Sequence, residues 1–132
     1  MKNPGPPFAI SLLLLTGLGC GTSPRQLQSI SISPSSAAAQ GSPNGQVQFV
    51  ATGHYNRAPM TASSLPVLWA IPPDGHGQAG ATITQNGVAQ CAPGASTTFY
   101  VLAYAPADPS VPVTGLLITK KVVLGTAVLT CP

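Results

Sequence analysis

Few side chains in this sequence are suited to acid–base, metal or nucleophilic chemistry. There is no glutamate, and the two acidic residues, Asp74 and Asp108, lie in Pro/Gly-rich segments on opposite sides of the central part of the chain. The histidines, His54 and His76, are not accompanied by a Gly-x-Ser-x-Gly elbow. Zinc needs three or four ligands at defined spacing, and calcium needs several carboxylates. We therefore expect no catalytic residue, no metal site and no cofactor, and we predict that the protein is not an enzyme.

Three cysteines are the other reactive side chains, and the first of them ends an apolar N-terminal segment. A run from Phe8 to Leu18 follows a single lysine. It is too short to cross a bilayer as a helix but is typical of a secretory signal. The residues GLGC that end at Cys20 resemble the lipobox of bacterial lipoproteins, although Gly17 stands where that family usually has leucine. The resemblance implies that Cys20 is lipidated and becomes the new N-terminus. An ordinary signal peptide cut near Gly19 or a few residues later is the alternative.

The other two cysteines, Cys91 and Cys131, are predicted to form a disulfide. An exported chain with three cysteines has an odd thiol unless one is used elsewhere, and lipidation of Cys20 removes that excess. Closing a loop of about 40 residues stabilises by roughly 4 kcal/mol in the chain-entropy description. A thiol or metal pair is the alternative, but zinc cysteines usually come in Cys-x-x-Cys spacing, which is absent.

We expect a signal peptide at 1–19, a tether at 20–26 and one folded domain at 27–132.

The composition predicts a domain of many short strands. Only 5% of the residues are charged, against about 25% in ordinary soluble domains. The 14 glycines and 15 prolines argue against long helices. Nucleic-acid binders cluster their cations on one face, whereas here they are dispersed along the sequence, so we expect no nucleic-acid partner. These cations are Lys2, Arg25, Arg57, Lys120 and Lys121.

Alternation of apolar and polar residues places the strands. Three strands are expected at 27–33, 46–53 and 65–71, and residues 53–64 are expected to form a loop because of their composition. The stretch at 116–131 is expected to form one long strand or two short ones. The side chains predicted to point inward from the first three strands are Ile30, Ile32, Val47, Phe49, Ala51, Val67, Trp69 and Ile71.

Residues 81–105 carry the strongest strand signal and predict three successive strands. Asn86-Gly87 favours a two-residue type I′ turn, in which both residues have positive φ. In the last strand the side chains Phe99, Val101 and Ala103 are expected to point inward, towards Trp69.

The opposite side of that last strand is the one predicted contact face, formed by Tyr100, Leu102 and Tyr104. Exposed aromatic and aliphatic groups often mark protein or glycan contacts. Tyr55 or the run at 116–118 could extend this face. Simple cross-strand packing on the outside of a sheet is the alternative interpretation.

The order of these elements resembles the group 2 bacterial Ig-like domains, which are common on bacterial surface proteins. The resemblance rests on SISISPSSA, QVQFVATG, VLWAI and ATITQNGVAQCAPGASTTFYVLAYA, and a long loop at 72–80 and an insertion at 113–123 depart from it. It implies an all-β fold, an immunoglobulin-like β-sandwich of about seven antiparallel strands.

Together these patterns predict a non-enzymatic exported module for cell-surface or periplasmic adhesion or interaction. Its partner would be an envelope protein or a surface glycan, and it would meet the membrane only through its N-terminal lipid. We expect it in the cell envelope, anchored to the outer membrane; a secreted or soluble periplasmic protein is the alternative. The alternative function is a structural spacer or accessory subunit of an envelope assembly.

Overall fold

The computed structural model describes residues 23–73, 80–114 and 121–132. These residues form ten strands and two single-turn 3-10 helices, Ala39–Gly41 and Pro43–Gly45. None of their helices is long and apolar enough to cross a membrane. The strands are β1 Leu27–Ser33, β2 Ser36–Ala38, β3 Gln46–Gln48, β4 Val50–Tyr55, β5 Thr61–Ala62, β6 Leu68–Ala70, β7 Ala81–Ile83, β8 Val88–Cys91, β9 Thr98–Pro106 and β10 Val122–Thr130.

The strands form two layers. One contains the sheets β1-β4-β5 and β3-β8-β7, which are continuous because only Phe49 separates β3 from β4. The other is the sheet β2-β10-β9-β6. All pairs are antiparallel except β2 with β10. If β1 with β2 and β3 with β4 are each counted as one strand, and the short β5 is left out, the domain has seven strands. In chain order, the first, second, fifth and fourth strands form one layer and the third, sixth and seventh form the other, which is the immunoglobulin arrangement. The predicted immunoglobulin-like β-sandwich is therefore confirmed.

The core lies between the layers and contains the predicted inward side chains. All of them are buried except Ile71, which is half-buried. The layers approach closely at Gly125 of β10, where an added Cβ would lie 2.7 Å from the Cγ2 of Ile30 in β1. The largest fully buried side chains are Phe49, Leu27, Leu129 and Val101.

The predicted loop at 53–64 is partly wrong, because a hairpin occupies most of it. Strand β4 continues to Tyr55, and β5 returns alongside it, with Gly53 opposite Ala62. The Tyr55 N–H donates to the Met60 carbonyl at 2.7 Å. Composition signalled a loop, but the inward alternation of Ala51, Gly53 and Tyr55 continues the strand, and their burial stabilises it.

The turn after β7 also differs from the prediction. Gly87 has φ of +82°, but Asn86 is not among the positive-φ residues, so the type I′ turn is wrong. Gly87 N–H donates to the Thr84 carbonyl at 3.0 Å and Thr84 N–H to the Val88 carbonyl at 2.9 Å, which makes a three-residue loop with a left-handed glycine at its end. The adjacent strand holds this loop, because the Gln48 side chain donates to the Asn86 carbonyl at 2.7 Å.

The C-terminal part forms one long strand, β10, which lies between β9 and β2. Directly after it, Cys131 is bonded to Cys91 of β8, with an S–S distance of 1.97 Å and Cα atoms 5.8 Å apart. The predicted disulfide is confirmed. Because β8 and β10 belong to different layers, this bond links the two sheets covalently.

Candidate functional site

The predicted facing of β9 is confirmed. Its inward residues Phe99, Val101 and Ala103 are buried. Tyr100 points outward and is 65% exposed, whereas Leu102 and Tyr104 are half-buried on the same side. The outward side chains of β9 therefore lie on an inner strand of the four-stranded sheet, paired on both sides.

Neighbouring strands extend this surface on both sides. Tyr104 lies between Leu68 of β6 and Leu124 of β10 in the strand register. These flanking side chains explain why Tyr104 is half-buried. We call this surface the aromatic face; it comprises Leu68, Ala70, Tyr100, Leu102, Tyr104, Val122, Leu124, Thr126 and Val128.

The aromatic face has no charged side chain among its nine residues, and it includes unusually exposed apolar groups. Leu124 is 49% and Val122 43% exposed, so that with Tyr100 the face holds three of the five large apolar side chains that are most exposed in the described part of the chain. An exposed apolar cluster on an otherwise folded surface is a common mark of a contact site. Its outward groups can provide van der Waals and stacking contact but no ion pairing.

The sequence did not predict most of the residues that flank the tyrosines of β9 on the aromatic face, and the proposal that Tyr55 extends this face is wrong. Tyr55 is buried in β4, in the other layer, and its ring lies under the Arg25 guanidinium, 3.4 Å from the ring centroid. It cannot extend the aromatic face. The real extension comes from β10, where the alternation in VVLGTAVLT already marks Val122, Leu124 and Val128 as one side of a strand.

His54 is not in a loop, as its composition had suggested, but in β4. Its Nε2 atom lies 2.9 Å from the Ser31 hydroxyl of β1. Among the described residues no group of three or more His, Cys, Asp or Glu side chains could hold a metal ion. In the described part of the chain, neither His54 nor Ser31 has a hydrogen bond to a carboxylate, and the contact between them joins β1 to β4.

Three of the cations that are dispersed in the sequence, those in the described part of the chain, lie close together in space. Every charged side chain in the described part of the chain lies at one end of the sandwich, where the chain enters β1. We call this the entry end; its charged residues are Arg25, Arg57, Asp108 and Lys121. The backbone shows the proximity: Leu27 N–H donates to the Ala107 carbonyl at 2.8 Å, and Ala107 N–H donates to the Lys121 carbonyl at 3.1 Å.

Side-chain contacts fix part of the entry end. Arg25 donates from Nη2 to the Pro59 carbonyl at 2.6 Å and from Nε to the Arg57 carbonyl at 3.4 Å. The Asp108 carboxylate accepts from the Ser110 hydroxyl at 2.6 Å and the Ser110 N–H at 2.9 Å, and these bonds hold the pKa of Asp108 below its ordinary value of 3.8. The single acid here is thus ionised at neutral pH, against three cations.

Several predicted positions lie outside the described residues. They are Cys20, Asp74, His76, Lys120 and the run at 116–118. Lipidation of Cys20 and any extension of the aromatic face by 116–118 therefore stay predictions.

Comparison of the sequence with models of known protein families and with curated proteins finds no match to either.

Proposed function

We propose that this protein is a non-enzymatic, exported Ig-like module that binds a partner at the cell surface or in the periplasm. The observation that carries the proposal is the aromatic face, on which Tyr100 is 65% exposed on a central strand and no side chain is charged. Aromatic side chains supply large contact area at low entropic cost, and contact sites are depleted in charge at their centre.

The proposal includes the group 2 bacterial Ig-like family, a signal peptide at 1–19 and lipidation of Cys20. The lipobox-like GLGC and the strand order of the sandwich support these assignments. The cell envelope is the proposed location, and an envelope protein or a surface glycan is the proposed partner. We place no catalytic step in the domain, because the aromatic face carries no general acid, base or nucleophile beyond hydroxyl groups.

Site-specific photo-crosslinking in cells tests the contact. A benzophenone amino acid replaces Tyr100 on the aromatic face in the full-length chain, and in a matched control it replaces Val50, which is 38% exposed on the outside of the other layer. We expect a discrete crosslinked species from position 100 and none from position 50. Equal crosslinking at both positions, or none at either, would contradict the proposal.

Substitution separates contact from folding. Tyr100→Ser and the double variant Tyr100→Ser/Tyr104→Ser should abolish formation of the co-purified complex, while Tyr100→Ser alone lowers the free energy of unfolding by less than about 1 kcal/mol. Loss of stability without any loss of complex would show that the tyrosines serve only cross-strand packing.

A single stoichiometric assembly with one envelope protein would identify a spacer, whereas binding to external glycans or foreign surfaces would identify an adhesin.

A further inference from the structure

The entry end combines positive charge with exposed apolar side chains, and the rest of the described surface carries no charged side chain. Arg57 stands three residues before Met60, which is 56% exposed, and Lys121 directly precedes Val122, which is 43% exposed. Cations beside exposed apolar groups are the combination that binds an anionic lipid surface: the cations attract headgroups and the apolar groups enter the interface.

The path of the chain brings the same end towards a membrane. The seven residues from Cys20 to Gln26 span at most about 25 Å when fully extended. Gln26 is fastened to the entry end, since its N–H donates to the Asn56 side chain at 2.7 Å and its carbonyl accepts from the Asn56 N–H at 3.1 Å. A lipid on Cys20 would therefore hold this end close to the headgroups.

The end of the sandwich opposite the entry end has no charged side chain in the described part of the chain and lies farther from the point where the chain enters β1. It contains the turn at Pro93-Gly94 and the start of β9, and the nine residues of β9 separate the ends by roughly 27 Å. That distance is about three Debye lengths at physiological salt. An anionic surface would thus attract one end and leave the other unaffected, which orients the domain.

We infer that the entry end is a membrane-contact surface that binds the anionic lipid headgroups of the leaflet in which Cys20 is anchored. This inference rests on the proposed lipidation and goes beyond contact through the lipid alone. In this orientation the strands point away from the membrane. The part of the aromatic face around Tyr100, near the start of β9, therefore remains open to a partner, whereas Val122 lies at the membrane end. The attraction comes from the net positive charge of the entry end, where Arg25, Arg57 and Lys121 stand against the single acid Asp108.

NMR of the chain purified from membranes tests this orientation. The protein is placed in nanodiscs of phosphatidylcholine alone or with one third phosphatidylglycerol, with a paramagnetic headgroup lipid in each. On anionic discs the amide signals of Arg57, Met60 and Lys121 should lose most of their intensity, and those of Gly94 and Ser96 should keep theirs. The difference should disappear in about 1 M salt, where the Debye length is about 3 Å.

Matched charge variants complete the test. Arg57→Gln/Lys121→Gln should remove the anionic-lipid effect, whereas Gln40→Glu/Ser96→Glu, with the same change in net charge at the opposite end, should retain it. Equal broadening at both ends, or broadening that ignores lipid charge and salt, would overturn the inference.

Intact mass of the same sample reports separately on Cys20. An unmodified N-terminus beyond Cys20 would refute anchoring, and the spectra with anionic discs would still decide whether the entry end binds lipid. The crosslink from position 100 does not depend on either result, so failure of the membrane contact and failure of the proposed partner binding are distinguishable.

Discussion

The outer faces of the two layers carry opposite kinds of side chain on the same kind of scaffold. The layer built on β1 and β4 presents hydroxyl, amide and imidazole groups, interrupted only by Val50 and half-buried Val88. The layer built on β9 and β10 presents the aromatic face. The outward residues of this polar layer include Ser29, Ser31, Ser33, Gln46, Gln48, Val50, Thr52, His54, Thr61, Thr82, Val88 and Gln90.

The contrast between the two outer faces shows which side chains the folded state requires. Both layers bury their inward side chains in one core, and the polar layer shows that an outer face of Ser, Thr and Gln is compatible with this sandwich. Apolar residues on the outside of a sheet gain little from folding when they stay in water. This contrast is the reason why we propose a partner for the aromatic face.

Removal of the disulfide should have the largest effect, because this bond links the two layers that carry the faces. Cys91→Ala/Cys131→Ala should lower the free energy of unfolding by about 4 kcal/mol, since the unfolded chain regains the freedom of a loop whose ends are 40 residues apart. Urea denaturation of the two proteins measures the difference. Unchanged stability would mean that packing alone joins the layers.

A pair of leucines on one strand sharpens the comparison of inside with outside. Leu129→Ala removes a side chain of β10 that is 0% exposed and should cost about 3 kcal/mol through lost burial and a cavity. Leu124→Ala changes the same residue type on the aromatic face, where it is 49% exposed, and should cost about 0.5 kcal/mol. Denaturation midpoints at equal slope give both values. Similar losses for both would show that the aromatic face contributes to stability as a core does.

The smallest expected effect is that of acid, and it should arise at the entry end, because neither outer face carries a carboxylate in the described part of the chain. The hydrogen bonds from Ser110 hold the pKa of Asp108 in the folded state below 3.8. The ionised carboxylate therefore stabilises the folded state above pH 3.8. This stabilisation is lost as the pH falls through the lower pKa of the folded state. Asp108→Asn and Ser110→Ala should each reduce the loss of stability on acidification, measured by urea midpoints on either side of pH 3.8. An unchanged acid dependence in both variants would refute this role.

Much of the fold could be predicted because strand alternation is a local property. Period two places Phe49, Trp69 and Phe99 on one face of their strands, and the fit of small and medium side chains beside Trp69 selected the inward face of the strand that carries Phe99. The count of cysteines in an exported chain predicts the Cys91–Cys131 bond. The hairpin after Tyr55 was missed, because its composition is that of a loop while its stability comes from burial of Tyr55 against other strands. The turn at Gly87 was assigned the wrong type because Asn-Gly is also compatible with a three-residue loop, and Gln48 from a neighbouring strand donates a hydrogen bond to the Asn86 carbonyl of that loop.

The candidate sites show the same division. The outward tyrosines of β9 can be read from the sequence, but Leu68 and Leu124 become their neighbours only when β6 and β10 pair with β9 from distant parts of the chain.

By itself the sequence determined an all-β domain with an alternating core, a disulfide and few charges. These properties depend on residue type and on spacing along a strand, which are local. Only the tertiary structure decided that the apolar outward side chains share one face and that Arg25, Arg57 and Lys121 meet at the end where the chain enters. Both outcomes depend on which strands pair and in which direction, because long-range pairing alone brings residues tens of positions apart onto one surface.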